Sequence, residues 1–342
     1  MRTFQLLFVP LAFIFLLFSC SPSGNKEKTT EKQVQKVAVA VNAEATLLLK
    51  YLEETGDYVN SRNFPSLIKA SVVHDELAAN NHIIDLRSSE EFKAGHIKGA
   101  VNVSFATLPE YLETKIKPFE FTKIVLVCAT GQVSSYAASL LRLNGYGNVF
   151  AMRWGMSAWN KQFAENFWLK GISSEWENRL DTTETPAAAP ADLPVMGTGK
   201  TTGEEILNER FRKVTAEGSE VAVITAAEVF ASPEKFYIIN FERKDKYDSG
   251  HIPGAVRYKQ NGTLGIIAEM QTIPSGKPIV IYCGTGHNSA FATAYLRLFG
   301  YDARTLLYGN NSFMYNHMVK DEKGLSWLPF SEADIHNYEV VR

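Results

Sequence analysis

The longest apolar run in the chain is its first: Phe4 to Phe18 is broken only by Gln5 and Pro10, and Arg2 is the only charged residue ahead of Lys26. At about 1.5 Å per residue a helix of this run reaches roughly 22 Å, short of a bilayer core of about 30 Å, so residues 1–19 read as a secretory signal rather than a retained span. Residues 20–42 are polar, of mixed charge and without a core pattern, and read as a flexible tether. Beyond them the pattern alternates. Helical segments run from Ala43 to Glu54 and from Glu204 to Ala216. Short apolar runs at Ile83–Leu86, Ile124–Val127, Tyr237–Ile239 and Ile279–Tyr282 read as buried parallel strands. Helices follow at Ser134–Leu143, stopped by Asn144-Gly145, and at Ser289–Phe299, stopped by Gly300. The Pro-, Ala-, Thr- and Gly-rich stretch 181–203 reads as a linker, leaving 43–180 and 204–342 as two α/β domains, each a parallel β-sheet flanked by helices.

The two domains are copies of one another. Asp85 and Asn240, His96 and His251, Cys128 and Cys283, Arg142 and Arg297, and Gly145 and Gly300 all stand 155 residues apart, a period too long for a solenoid. The chain of 342 residues, 45% hydrophobic and 21% charged, has room for two such folds. With 35 basic against 37 acidic residues there is no basic excess to bind a phosphate backbone, so nucleic acid is not an expected partner. Cysteines occur only at 20, 128 and 283, too few for a disulfide scaffold and without the spacing of a metal site.

Cys128 and Cys283 each follow a buried strand and precede a helix by one short loop, in IVLVCATGQVSSYAASLL and IVIYCGTGHNSAFATAYL. A loop closing onto a helix N-terminus aims backbone N–H groups and the positive dipole end at one point, where a thiolate is favoured. The candidate loops are Ala129, Thr130, Gly131, Gln132, Val133 and Ser134 in the first copy, and Gly284, Thr285, Gly286, His287, Asn288 and Ser289 in the second. Gly131 and Gly286 let the loop curl, while the Thr and Ser hydroxyls either donate to a bound anion or cap the helix. Taken singly, a Cys after a strand is also what a small core residue looks like.

With Asp85-Leu86-Arg87 at a strand end, the segments Gly95-His96-Ile97 and Gly250-His251-Ile252, the Cys-x-x-Gly-x-x-Ser loops and the stretch MRWGMSAW from Met152, the chain resembles the rhodanese superfamily in tandem. The resemblance implies sulfurtransfer: the loop Cys takes a sulfane sulfur from a small anionic donor of the thiosulfate or mercaptopyruvate type, holds it as a persulfide and passes it to a thiol or cyanide-like acceptor, without metal or organic cofactor. Two departures qualify it. Neither loop holds an Arg or Lys, although His287 offers a partial charge near neutral pH. In the second copy Asn240 and Glu242 stand where the first has Asp85 and Arg87. A binding or scaffold module that keeps the fold with little turnover is therefore the competing reading. A Cys-based phosphatase is not, since Ser134 and Ser289 occupy the place of its anion-cradling Arg.

Similarly, Leu17-Phe18-Ser19-Cys20 resembles the bacterial lipoprotein box, which makes Cys20 the lipidated first residue of a mature chain held on the cell envelope, with Ser21 fitting the outer membrane; ordinary signal cleavage nearby is the alternative. Asp85, Arg87, His96 and His251 read as structural supports, and His74, His82, His317 and His336 as solvated. The last stretch, LSWLPFSEADIHNYEVVR, reads as an extension of the second copy.

Overall fold

Strands buried on both faces need helices on both sides, and the apolar runs at the centre of each repeat dictate that arrangement. The computed structural model describes residues 43–265 and 270–342. The signal, Cys20 and the tether lie outside the described residues. In the first repeat β1 (Leu67–Ile68), β2 (Asn81–Asp85), β3 (Val101–Asn102), β4 (Lys123–Val127) and β5 (Val149–Met152) form a five-stranded parallel sheet in the order β1-β5-β4-β2-β3. In the second, β6 (Val223–Ile224), β7 (Tyr237–Asn240), β8 (Val256–Arg257), β9 (Ile279–Tyr282) and β10 (Ala303–Leu306) repeat it as β6-β10-β9-β7-β8.

Register follows the sequence repeat. Ile83 pairs with Val125, and Ile238 with Val280, which keeps the offset of the sequence. In the last strand the offset drops by one, because Gly145–Asn148 before β5 is matched by only Gly300–Asp302 before β10. Trp154 is thereby the counterpart of Tyr308, and Arg153 of Leu307.

The helices behind the two cysteine loops, Gln132–Leu143 and His287–Leu298, pack on each other and are buried almost throughout. Small side chains permit the close approach: Ser139 Oγ donates to the Phe291 carbonyl across the contact at 2.9 Å. A single apolar cluster runs from Leu48, Tyr136 and Leu140 through to Phe291, Tyr295 and Leu296. Neither repeat closes this core without the other.

Stretch 181–203, between the repeats, has little regular structure and is packed down: Leu193 and Met196 are buried in the shared core, and Asp181 pairs antiparallel with His251. The C-terminal stretch does not extend the second repeat; it crosses back to the first. Val341 pairs antiparallel with His96, the Trp159 indole donates to the Glu339 carbonyl at 2.9 Å, and Phe330 is buried against Trp154 and Trp168. The apolar face over β5 thus finds its cover in the other half of the chain. His74 stacks on Tyr338 of this crossing segment and stays exposed, whereas half-buried His82 stacks on Phe121 and bonds Tyr111 Oη at 2.9 Å, so His82 is not solvated as its isolated position suggested.

Candidate active site

Each cysteine ends a buried strand where its loop turns into a helix. Gly131 and Gly286 occupy the N-cap positions at φ of 87° and 74°, a left-handed conformation that a β-carbon disfavours. No β-carbon would fit there either: at Gly131 it would strike His287, and at Gly286 Gln132. The curl aims amides at sulfur. Cys128 Sγ accepts from Gly131 N–H at 3.1 Å and Ser134 N–H at 3.3 Å; Cys283 Sγ accepts from Ser289 N–H at 3.4 Å and from the Thr285 amide, with Ser289 Oγ at 3.6 Å. Thr130 and Thr285 hydroxyls sit at the first helical amides, the capping role, although Thr285 also lines the cavity described below.

The first helical residue of each loop points away from sulfur and into the other repeat. Gln132 Nε2 donates to the Leu306 carbonyl at 3.0 Å while its Oε1 accepts from Tyr308 N–H at 2.8 Å. His287 answers from the opposite side. Its Nε2 lies 3.2 Å from both the Trp154 amide and the Thr130 carbonyl, and its Nδ1 is 2.8 Å from Thr285 Oγ1. Trp154 and Tyr308 hold φ of 65° and 61°, strained for aromatic residues, and these crosswise bonds pin both.

Burial, reinforced by the nearby Arg153 charge, pushes the His287 imidazole down to about 3. This corrects the expectation of a partial charge in the loop: His287 is neutral near pH 7, as the environment disfavours the cation. An unfolded His titrates near about 6.5, so the unfolded chain binds the extra proton between that pH and the folded value. The sign follows: stability contributed by neutral His287 is complete above about pH 6.5 and falls by about 1.4 kcal/mol for each pH unit below it. His287→Gln, the residue present at position 132, is expected to flatten this slope in urea denaturation series; an unchanged slope would contradict the buried neutral ring.

At the remaining loop positions the repeats diverge. A cavity of about 310 Å³ opens at Cys283, lined by Gly284, Thr285 and Asn288 from the loop and by Pro65 and Leu67 from the first repeat. Three cations line it, none from the loop: Arg243 and Lys246 at the start of the helix after β7, and Arg153 from the end of β5 in the first repeat. Arg243 is held by Asp245 at 2.6 Å, and Lys246 lies over the Trp327 ring. Burial pushes the Arg153 guanidinium down, the Asp334 charge opposing, and among the described residues it makes no ion pair within 4.0 Å. Sequence reading missed these residues, yet the repeat alignment carries a signal for them: Arg243 and Lys246 have Ser88 and Glu91 as counterparts in the first copy, and Arg153 has Leu307 as its counterpart in the second.

Cys128 has no such surroundings. Burial pushes the Tyr308 phenol of the second repeat up, and the nearby Cys128 sulfur adds to the effect. A neighbouring cavity of about 230 Å³, lined by Lys69, Arg153, Trp154 and Asp334 among others, does not reach the sulfur. Ala129 and Thr130 are used internally, their carbonyls accepting from Ser157 Oγ and the Trp168 indole, and Val133 packs on the shared core.

In the first repeat buried Arg87 makes a two-pronged pair with Asp85, at 2.6 Å for Nη2, reaches the Gly95 carbonyl and lies over Phe163. His96 and His251 bond the Phe92 and Tyr247 carbonyls through Nδ1 and stack on the same residues' rings. In the second repeat Glu242 is buried instead, and it lines the Cys283 cavity. Among the described residues no group of His, Cys, Asp and Glu is arranged to hold a metal.

The rhodanese-like domain family model matches residues 69–162 and 227–314, together more than half of the chain. Thiosulfate sulfurtransferase 16 of Arabidopsis thaliana is 33% identical over 28% of this chain and 88% of its own length. A thiosulfate sulfurtransferase of Pseudoalteromonas translucida is 34% identical over 24% of this chain and 76% of its own length. Among solved structures, a 3-mercaptopyruvate sulfotransferase from Escherichia coli covers 71% of this chain and 98% of its own, at 17% identity and a TM-score of 0.26.

Proposed function

The chain belongs to the rhodanese-like domain family, and on that footing we propose that it is a sulfurtransferase working through Cys283, taking a sulfane sulfur from a small anionic donor of the thiosulfate or mercaptopyruvate type. The observation that carries this reading is the cavity at Cys283 with Arg153, Arg243 and Lys246 on its walls. A missing loop cation is thereby offset from outside the loop. Cations in a recess of restricted dielectric hold an anion far better than the same charges in water.

In the step proposed, the Cys283 thiolate attacks the outer sulfur of the donor. A new S–S bond forms, and the bond from that sulfur to the rest of the donor breaks with its electron pair leaving on sulfite or on the pyruvate enolate. The persulfide inherits the Thr285 and Ser289 amides as its anion cradle. A thiol or cyanide-like acceptor then removes the terminal sulfur and regenerates the thiolate. Incubation with either donor followed by cyanide tests this: thiocyanate release and a mass gain of one sulfur on the Cys283 peptide are expected, and neither product with either donor would sink the reading in favour of a scaffold module.

The leader supports a second, separate proposal, that Cys20 is lipidated and holds the protein on the bacterial envelope, at the outer membrane. Cys20→Ala is expected to move the protein out of the membrane fraction; retention there would refute lipidation at this residue.

A further inference from the structure

Glu242 is a buried carboxyl, 4% exposed, that the sulfur-transfer step above leaves unused. It stands in place of an arginine, and Asn240 beside it stands in place of an aspartate, so the ion pair of the first repeat is replaced next to Cys283 by a neutral amide and a carboxyl. Its Oε2 accepts from Asn310 Nδ2 at 2.8 Å and lies 3.5 Å from Asn240 Nδ2, and the carboxylate also accepts from the amide of Gly284, the residue after the nucleophile. Both asparagines keep their Oδ1 atoms buried without a hydrogen-bond partner. Buried acceptors without donors are costly, and which end of an amide faces its neighbour follows from the network around it. The asparagine pair therefore serves either state: its N–H groups hold a carboxylate, and its oxygens are positioned to accept from a carboxylic acid once flipped.

We propose that Glu242 carries the Cys283 proton during sulfur transfer, and that this suits the site to donors whose leaving group must be protonated. The inference rests on the sulfurtransferase reading above. Thiol and carboxyl line one cavity, the sulfur bonding Ser289 and the carboxylate bonding Asn310 and the Gly284 amide, and in the resting pair they hold one proton in all, exchanged through cavity water. On attack the S–H proton passes to the Glu242 carboxylate and the thiolate bonds to the donor sulfur. With a mercaptopyruvate-type donor the C–S bond breaks, its electrons forming the enolate, and Glu242 returns the proton to the enolate carbon to give pyruvate and the Cys283 persulfide. Sulfite leaving from thiosulfate is already a stable anion and needs no such proton.

The electrostatics agree with the geometry. Burial pushes the Glu242 carboxyl up, with the Lys246 charge opposing, and burial together with the Glu242 charge pushes the Cys283 thiol up. Two acids that each disfavour the other's charge titrate as a pair. The charged and titratable groups around the carboxyl are Lys246, Arg243, Arg257 and Tyr282 from its own repeat and Arg153 from the other, besides Cys283 itself.

The test is Glu242→Gln in the full chain, assayed with both donors and cyanide and, independently of turnover, by the pH dependence of iodoacetamide alkylation at the Cys283 peptide. The ratio of mercaptopyruvate to thiosulfate turnover is expected to fall at least about thirtyfold, within the usual range for a lost proton carrier. The alkylation midpoint is expected to shift to lower pH, because the neighbouring negative charge is gone. A ratio within about threefold of the original, or an unmoved midpoint, would overturn the proposal. A circular dichroism melt checks folding; should Glu242→Gln not fold, Glu242→Asp, which keeps the acid, is expected to retain the donor ratio, and its loss would count against a proton role. If the unaltered protein turns over neither donor, the sulfurtransferase reading fails while the alkylation profile still decides whether the pair shares a proton.

Discussion

Replacing Cys283 by Ser is expected to lower cyanide-coupled sulfur transfer at least about a thousandfold, whereas Cys128→Ser retains at least about half of the activity. The two cysteines have nearly the same backbone cradle, so the difference does not come from the loop. It comes from what each sulfur faces. Cys283 opens into a cavity with Arg153, Arg243 and Lys246 on its walls, while the counterparts of those cations around Cys128 are Leu307, Ser88 and Glu91. A donor carrying one or two negative charges meets the amide cradle at the first site but not the three cations that line the second. Ser at 128 still accepts from the Gly131 and Ser134 amides, so the structural cost is about 1 kcal/mol at most. Equal losses in the two variants, measured as thiocyanate formed per enzyme, would show that the asymmetry of the cavity does not govern the chemistry.

The fold was legible because its signals are local or repeated. Apolar runs such as Ile124–Val127 and Ile279–Tyr282 are buried on both faces and can be little else, and Cys128 and Cys283 sit where a strand hands over to a helix. The ion pair of Asp85 and Arg87 spans two residues and reads directly from their spacing. What escaped the sequence is what the two repeats do to each other. His287 has the look of a loop cation, but its ring ends between Thr130 and Trp154 of the other copy, and no periodicity encodes that desolvation. Glu242 was visible as a substitution, yet its burial depends on Asn310, which reaches it from beyond β10. The C-terminal stretch carries no helical or strand pattern, because its order comes from pairing with His96 and from the rings of Trp154, Trp159 and Trp168. Arg153 lies inside the stretch MRWGMSAW, read only for its resemblance to a family segment, and its contribution to the opposite repeat appears only once the two repeats pack together.

Arg153 is also where that cooperation is most exposed to experiment. Arg153→Leu installs the residue found at the corresponding position 307 and is expected to raise KM for thiosulfate about 10- to 100-fold, with kcat changed less than about threefold. The magnitude follows from losing a charge-assisted contact of about 1.5–3 kcal/mol to an anion that the cation holds before and during attack alike. Arg243 and Lys246 remain, but each is already engaged, the first by Asp245 and the second over Trp327, so neither swings free to replace the lost guanidinium. Because Arg153 makes no close ion pair among the described residues and burial opposes its charge, with the Asp334 carboxylate acting on it only at longer range, its removal should change the melting temperature little, which separates a binding role from a structural one. Arg153→Lys should recover part of KM but not all, since an ammonium lacks the planar fork that grips two oxygens at once. KM should also rise with ionic strength in the original protein and do so less steeply in Arg153→Leu. A KM within about twofold of the original in Arg153→Leu would mean that the second repeat binds its donor alone. A large rise would make the site the property of both repeats: a nucleophile from one copy, and the cation it needs from the other.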